Sequence, residues 1–233
     1  NALTSTQVGA LTTSQVKALA LDDVASMGTT QLKGLSTTQI GAMTVTQLNA
    51  LTTTEVAALG TDQVKGLSKT QITGLSVTNL KAFGTAQVAA LTTTQLSGLS
   101  DTQAKALTTA QVGALTTTQA KALSALNLAS LTTGQLKALS TSAVSALDAK
   151  QVAALTTTQV AALGTDQVNA LSSTGVQALT GAQVGALSTA QVAAMTTTTI
   201  QALESADVIA LTTAQINALT STQVGALTTS QVK

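Results

Sequence analysis

The sequence predicts an all-α protein, a solenoid of very short capped helices with one helix per eight-residue repeat. Three observations lead to this prediction. A leucine recurs every eight residues, helix-capping residues follow each leucine, and acidic and basic residues separate towards opposite ends of each repeat. We call each repeat an octad.

The leucine spacing holds from Leu3 to Leu227 without an insertion or a deletion. Of these 29 positions, 25 are Leu, and the others are Met27, Met43, Phe83 and Met195. Phe83 is the only aromatic residue of the chain. Aliphatic side chains therefore have to fill the core, and Phe83 is predicted to occupy a leucine position in it.

The octad that starts at Leu155 shows why each repeat begins a helix. Thr156 followed three residues later by Gln159 is a capping box, in which each residue satisfies a backbone N–H of the other. Leu155 before the cap and Val160 at the fourth helical position form a hydrophobic staple. The next cap interrupts the helix, which limits it to about five or six residues.

The same pattern assigns the remaining structural residues. Thr12 with Gln15 and Thr92 with Gln95 are predicted capping pairs, and Leu163 and Val168 continue the core of Leu155 and Val160. Four positions of the octad are named from this pattern: the leucine, glutamine and valine positions, and the outer position that follows the valine.

The charges support a helix start and stop in every octad. All nine acidic residues lie at the cap or in the three positions after it, and eight of the ten lysines occupy the outer position. Acidic groups favour the positive N-terminal end of a helix dipole and basic groups favour its C-terminal end.

Two other structures fit the sequence less well. In one continuous helix the leucines would drift by about 80° per octad around the axis. In a β-solenoid, Leu and Val five residues apart would point to opposite faces of one strand, and the turn residues needed between them are not concentrated there.

A single octad buries too little to be stable, so the octads have to stack. Small and long residues alternate at the outer position from Gly9 onwards. This alternation favours two octads, 16 residues, per right-handed coil, with three octads, 24 residues, as the alternative. Residues 1–17 recur as 217–233, which indicates a 216-residue super-repeat and one continuous solenoid over 1–233.

The composition argues against most chemistry. There is no His or Cys, the charged fraction is 8%, and the net charge is +1. We therefore expect no enzyme activity, cofactor, metal site or nucleic-acid partner, and no apolar run is long enough to span a membrane. Ser14-x-x-Lys17 matches a serine acyl-enzyme pattern and Asp22-Asp23 could form a carboxylate pair, but the octad pattern and the helix dipole explain both.

The Leu-Thr-x-x-Gln-Val-x-Ala array resembles segments of very large repetitive bacterial secreted or surface proteins of the adhesin or filament type. A fainter resemblance is to mesothelin- and stereocilin-like superhelical proteins, although those place Pro after the cap and this chain has none. Neither resemblance assigns functional residues.

The first resemblance implies a structural, rod- or fibre-forming module of a giant extracellular or cell-surface protein, which self-associates or acts as a spacer. The alternative is a binding solenoid that recognises a glycan, a surface or ice through a Lys or Thr face.

Overall fold

The computed structural model describes residues 3–233, which contain 28 helices of four to six residues and no strand. The all-α solenoid predicted from the octad is therefore confirmed. The chain divides into two compact units, unit 1 (Asn1–Ala114) and unit 2 (Leu115–Lys233).

The helices of unit 1 are α1 (Ser5–Gly9), α2 (Thr13–Ala18), α3 (Leu21–Ala25), α4 (Thr29–Gly34), α5 (Thr37–Ala42), α6 (Val45–Ala50), α7 (Thr53–Ala58), α8 (Thr61–Lys65), α9 (Lys69–Gly74), α10 (Val77–Ala82), α11 (Thr85–Ala90), α12 (Thr93–Leu96), α13 (Asp101–Ala106) and α14 (Thr109–Gly113). Those of unit 2 are α15 (Thr117–Ala122), α16 (Ala125–Ser130), α17 (Thr133–Ala138), α18 (Thr141–Ser145), α19 (Ala149–Ala153), α20 (Thr157–Ala162), α21 (Thr165–Ala170), α22 (Ser173–Gln177), α23 (Gly181–Gly185), α24 (Thr189–Ala194), α25 (Thr197–Ala202), α26 (Ser205–Ile209), α27 (Thr213–Ala218) and α28 (Ser221–Ala226).

Two extended residues at the leucine and cap positions separate successive helices. Thr156, the N-cap of α20, has φ −72° and ψ 156°, and Leu163 after the same helix has φ −58° and ψ 144°. Extended backbone at both positions turns the chain between one helix and the next. We call each of these turns a corner of the coil. No described residue has a positive φ, so the corners do not depend on glycine.

Helices three octads apart pack on one another. In unit 1 this forms three stacks: α1, α4, α7, α10 and α13; α2, α5, α8, α11 and α14; and α3, α6, α9 and α12. One coil therefore contains three octads, or 24 residues, and the prediction of two octads per 16-residue coil is wrong. The three-octad alternative is the observed one.

The alternation that favoured two octads occurs at an exposed position and does not follow the three-octad coil. At the outer position, Lys33, Gly41 and Lys65 are all exposed, as is almost every other residue there. Gly41 and Lys65 occupy this position in α5 and α8, which belong to one stack, so small and long residues mix within a stack and their alternation does not give the number of octads per coil.

Unit 2 repeats the same arrangement. Its stacks are α15, α18, α21, α24 and α27; α16, α19, α22, α25 and α28; and α17, α20 and α23 with α26. The right hand of the coil and its continuity over 1–233 stay predictions.

The core of each unit consists of the leucine and valine positions. Leu155, Val160, Leu163, Val168 and Phe83 are all buried. Burial of these apolar side chains, at about 1.5–3 kcal/mol each, offsets the cost of ordering the short helices.

Candidate functional site

The most regular polar feature is the glutamine three residues after the cap position, which we call the glutamine ladder. It includes Gln39, Gln47, Gln63, Gln71, Gln87, Gln95, Gln103 and Gln111 in unit 1, and Gln151, Gln159, Gln167, Gln183, Gln191, Gln215, Gln223 and Gln231 in unit 2. All of these side chains are buried.

Each glutamine first caps its own helix. The Thr156 N–H donates to Gln159 Oε1 at 2.8 Å, and the Gln159 N–H donates to Thr156 Oγ1 at 3.1 Å. The structure places Thr92 and Gln95 in the same box, with distances of 2.7 and 3.2 Å. Four N-caps that are glycine keep half of it, as when the Gly164 N–H donates to Gln167 Oε1 at 2.9 Å.

The other end of the same amide bonds to the preceding coil. Gln159 Nε2 donates to the carbonyl of Leu131 at 2.7 Å and to that of Leu128 at 2.9 Å. These carbonyls lie at the C-terminal end of α16, where Leu128 also accepts the Leu131 N–H at 3.2 Å and Leu131 is the C-cap residue. One side chain thus satisfies the start of its own helix and the end of a helix in the preceding coil.

This second role explains why the position is glutamine and not glutamate. A capping box accepts either residue, but only the amide can both accept and donate. The chain has 21 Gln and one Glu at this position. That preference was the signal in the sequence for the contact between coils, which capping alone did not explain.

Gln15 at the first coil makes only the first set of bonds. The Thr12 N–H donates to Gln15 Oε1 at 2.8 Å, and the Gln15 N–H donates to Thr12 Oγ1 at 3.2 Å. Its side chain is exposed, and within the described chain its Nε2 donates to no carbonyl.

Two acidic residues replace glutamine at buried positions. Glu55 Oε2 accepts from the Thr52 N–H at 2.7 Å and so retains the cap, but a carboxylate has no N–H for the coil below. Asp207 Oδ2 accepts from the Glu204 N–H at 3.1 Å. Burial raises the pKa of Asp207, the backbone hydrogen bond lowers it, and the neighbouring Glu204 charge raises it further.

An asparagine from another coil completes the cap where the ladder residue cannot. Asn79 makes no capping box with Ser76. Asn49 supplies the missing acceptor: the Ser76 N–H donates to Asn49 Oδ1 at 2.8 Å, and Asn49 Nδ2 donates to the Gly74 carbonyl at 2.8 Å.

The same device recurs in unit 2. Thr199 occupies the glutamine position, and the Thr196 N–H donates instead to Asn169 Oδ1 at 2.9 Å. Asn169 Nδ2 donates to the Ala194 carbonyl at 2.7 Å. Asn49 and Asn169 were not singled out from the sequence. In both cases an asparagine at the outer position lies 30 residues before a glutamine position that holds another residue. This shared spacing was the signal in the sequence.

Within residues 3–233 every buried side-chain N or O atom has a hydrogen-bond partner. The same residues contain no His, Cys, Asp or Glu group suited to a metal ion and no helix long and apolar enough to cross a membrane. Ser14 and Lys17 are exposed and not hydrogen-bonded to each other, and Asp22 and Asp23 are exposed in the first turn of α3. The glutamine ladder is thus the candidate site, and the role of its hydrogen bonds is to cap helices and join coils.

The pattern of the ALTTAQ repeat matches five segments, 16–53, 46–77, 128–165, 160–197 and 200–233, which together cover more than half of the chain. The chain belongs to the ALTTAQ-repeat family. The letters of the name occur as Ala106–Gln111 and as Ala210–Gln215, each of which runs from the end of one helix to the ladder residue of the next. No curated protein matches the chain.

The ALTTAQ motif can now be interpreted residue by residue. In Ala210–Gln215, Leu211 belongs to the core and Thr212 is the N-cap of α27. Gln215 closes the box and donates to the Leu187 carbonyl at 2.7 Å. The motif contains a complete corner of the coil.

Proposed function

We propose that this ALTTAQ-repeat chain is a structural module of a very large protein outside the cell or on its surface, where it self-associates or acts as a spacer. It acts by geometry and not by catalysis. Each added octad extends one of the stacks, so the number of repeats sets the size of the module.

The observation that carries this proposal is the glutamine ladder. Within each unit it joins successive coils through neutral hydrogen bonds, with Nε2–O distances such as 2.9 and 2.6 Å from Gln95 to Val64 and Leu67. Such bonds depend little on salt or pH, because neither partner is charged. A scaffold outside the cell benefits from that independence.

Removal of one coil tests the spacer role. A chain that lacks residues 125–148 keeps the octad phase and both asparagine caps, and it should show an unchanged helical circular dichroism signal per residue. Its maximum dimension in small-angle X-ray scattering should fall by about 8–10 Å, the thickness of one helix layer. An unchanged dimension, or loss of helix, would contradict the proposal.

Labelling of intact cells tests the location. The lysines at the outer position, such as Lys65 and Lys137, are exposed. An amine reagent that does not cross membranes should label them on cells of the producing organism, with a cytoplasmic protein as the control. Labelling only after lysis would contradict an extracellular or surface location.

A binding role through a Lys or Thr face is the second candidate, and one observation favours it. Shallow open grooves recur at equivalent positions of the two units, one lined by Thr13, Lys17 and Ser68 among others and one by Thr117, Lys121 and Ser172. Hydroxyl and ammonium groups suit a glycan. The outer-position lysines of unit 1 nevertheless divide between two stacks, which disfavours one continuous Lys face.

A glycan array and an ice-affinity assay separate the two candidates. The structural role predicts no retention of the chain on either. Retention that is lost in a Lys17→Ala, Lys121→Ala double variant would favour binding through the grooves.

A further inference from the structure

Glu55 is the one glutamate at the glutamine position, and its side chain has an exposed fraction of only 7%. Its Oε2 atom accepts the Thr52 N–H at 2.7 Å and the Thr52 hydroxyl at 2.9 Å. Its Oε1 atom accepts no hydrogen bond in residues 3–233. Since every fully buried side-chain N or O atom there has a partner, Oε1 keeps some contact with solvent.

A nearly identical octad shows where Oε1 lies. Residues 51–58, LTTTEVAA, and residues 155–162, LTTTQVAA, differ only at Glu55 and Gln159. Gln159 Nε2 donates to three carbonyls of the preceding coil at 2.9, 3.3 and 2.7 Å, those of Leu128, Ala129 and Leu131. With Oε2 held at the same cap, the planar carboxylate of Glu55 places Oε1 where Gln159 has Nε2.

The carbonyls that face Oε1 belong to the end of α3. By the same spacing they are those of Val24, Ala25 and Met27, in the sequence VASM, which parallels LASL at 128–131. The Met27 carbonyl accepts no hydrogen bond in the described chain, and that of Val24 accepts the Met27 N–H at 3.1 Å. Both sides of this contact lie inside the chain. Oxygen atoms without a donor among them therefore converge at this corner.

No ammonium group compensates the Glu55 charge. Glu55 forms no ion pair in residues 3–233. Helix α3 carries Asp22 and Asp23 in its first turn and no basic residue in its last turn. Buried charges in proteins are paired or coordinate a metal ion, because an uncompensated buried charge is costly. The corner thus has an excess of negative charge and an excess of acceptors.

We propose that the Glu55 carboxylate and the carbonyls of Val24, Ala25 and Met27 bind a hard cation such as Ca²⁺ or Na⁺. Ca²⁺ takes oxygen ligands at about 2.3–2.6 Å, which places neighbouring ligands roughly 2.8–3.4 Å apart. The distances of 2.7, 2.9 and 3.3 Å at Gln159 fit this spacing. Water from the solvent side of Oε1 completes the ligand shell.

This site differs from a cluster of acidic, His or Cys side chains, since residues 3–233 contain no group of three or more of them that could hold a metal ion. It uses one carboxylate and main-chain oxygens, which no sequence motif displays. The cation joins α7 to the preceding coil, as the amide does at the other corners. The site does not depend on the proposed structural role, and the coil deletion tests that role separately.

Urea unfolding at constant ionic strength tests the site. The chain in metal-free buffer with tetramethylammonium chloride is compared with the chain in CaCl₂ or in NaCl. For a dissociation constant of about 0.1–1 mM, as in weak extracellular Ca²⁺ sites, about 10 mM CaCl₂ should raise the urea midpoint by about 0.5–1 M. A rise in NaCl alone would support a monovalent ion at the same ligands.

Variants of the two matched octads locate the response. Glu55→Gln should abolish it, and the variant should fold because 21 octads carry Gln at this position. Gln159→Glu should gain a second response, and the Glu55→Gln, Gln159→Glu chain should respond through residue 159 alone. Asp166→Asn removes an exposed carboxylate and should leave the response unchanged.

Four results would overturn the proposal. Three of them are a urea midpoint that neither salt raises, an equal response of the Glu55→Gln chain, and a Gln159→Glu chain without an added response. The fourth is a stability that rises in acid and ignores both cations, which would assign a proton to Oε1 in place of a cation.

Discussion

At the scale of single residues, glutamine determines how the coils are joined. One amide accepts a backbone N–H at its oxygen and donates to the coil below at its nitrogen, as Gln191 does with Ser188 at 2.7 Å and with Leu163 at 2.8 Å. A glutamate keeps the first bond and loses the second. The cost of that exchange should therefore depend on whether a coil lies below.

A matched pair of variants measures this cost. Gln159→Glu should destabilise the chain by about 2–4 kcal/mol, since the Leu131 carbonyl loses its side-chain donor, the Leu128 carbonyl keeps only the Leu131 N–H, and a carboxylate is buried beside them. Gln15→Glu should be close to neutral, because its side chain is exposed and donates to no carbonyl. Urea unfolding of both variants provides the comparison, and equal losses would contradict the second role of glutamine.

Asp207 gives the ladder one pH-sensitive position. Burial raises its pKa above the ordinary carboxyl value, so the folded chain holds the proton to a higher pH than the unfolded chain does. Its contribution to stability is therefore complete below the ordinary pKa and is lost as pH rises through the raised value.

Asp207→Asn should remove this part of the pH dependence. The urea midpoint of the wild type should fall more between pH 3 and pH 7 than that of the variant. Asp166→Asn serves as the control because Asp166 is exposed in the first turn of α21. The assignment fails if the two variants show the same slope.

At the scale of helices, a cap can come from another coil. Asn49 accepts the Ser76 N–H in place of a glutamine on α10 itself, and Asn169 does the same for α25. The two solutions are interchangeable in principle, because each satisfies one exposed helix N–H with a side-chain oxygen.

This interchange predicts a rescue. Asn49→Ala should cost about 1–2 kcal/mol through two lost hydrogen bonds, and Asn79→Gln in the same chain should recover much of it by restoring the box. Asn217→Ala, at an outer position with no hydrogen bond in the described chain, is the matched control. Hydrogen exchange at the Ser76 amide reports the cap directly, and no recovery would argue against interchange.

At the scale of the whole molecule, the octad was predictable and the coil was not. Leu155, Thr156 and Gln159 fix one helix through contacts within eight residues, so the local pattern was enough. The coil depends on contacts over 28 to 31 residues, as between Gln159 and Leu131 or Leu128. The outer position suggested two octads because it varies, but it varies because it is exposed. The glutamine that recurs at 21 positions was the better indicator of the coil.

Two deletions of one octad test the longer-range pairing. Loss of residues 149–156 leaves Asn169 and Thr199 in register, whereas loss of residues 181–188 separates them. The second deletion should cost about 1–2 kcal/mol more in urea unfolding, because Thr196 loses its acceptor, and Thr199→Gln should remove the difference. Equal stability of the two shortened chains would show that Asn169 does not matter for stacking.

The coil holds three octads, whereas the chain repeats after one. At the level of the gene, replication slippage or unequal crossing-over can insert or remove eight codons. Such a change keeps the octad phase, so the later octads can still stack on the coil before them. The stretches from Asn49 to Asn79 and from Asn169 to Thr199 resist such changes. In each of them the asparagine reaches its partner only while the number of residues between the two stays the same. Copy number can therefore drift in the rest of the reading frame while these two intervals keep their length.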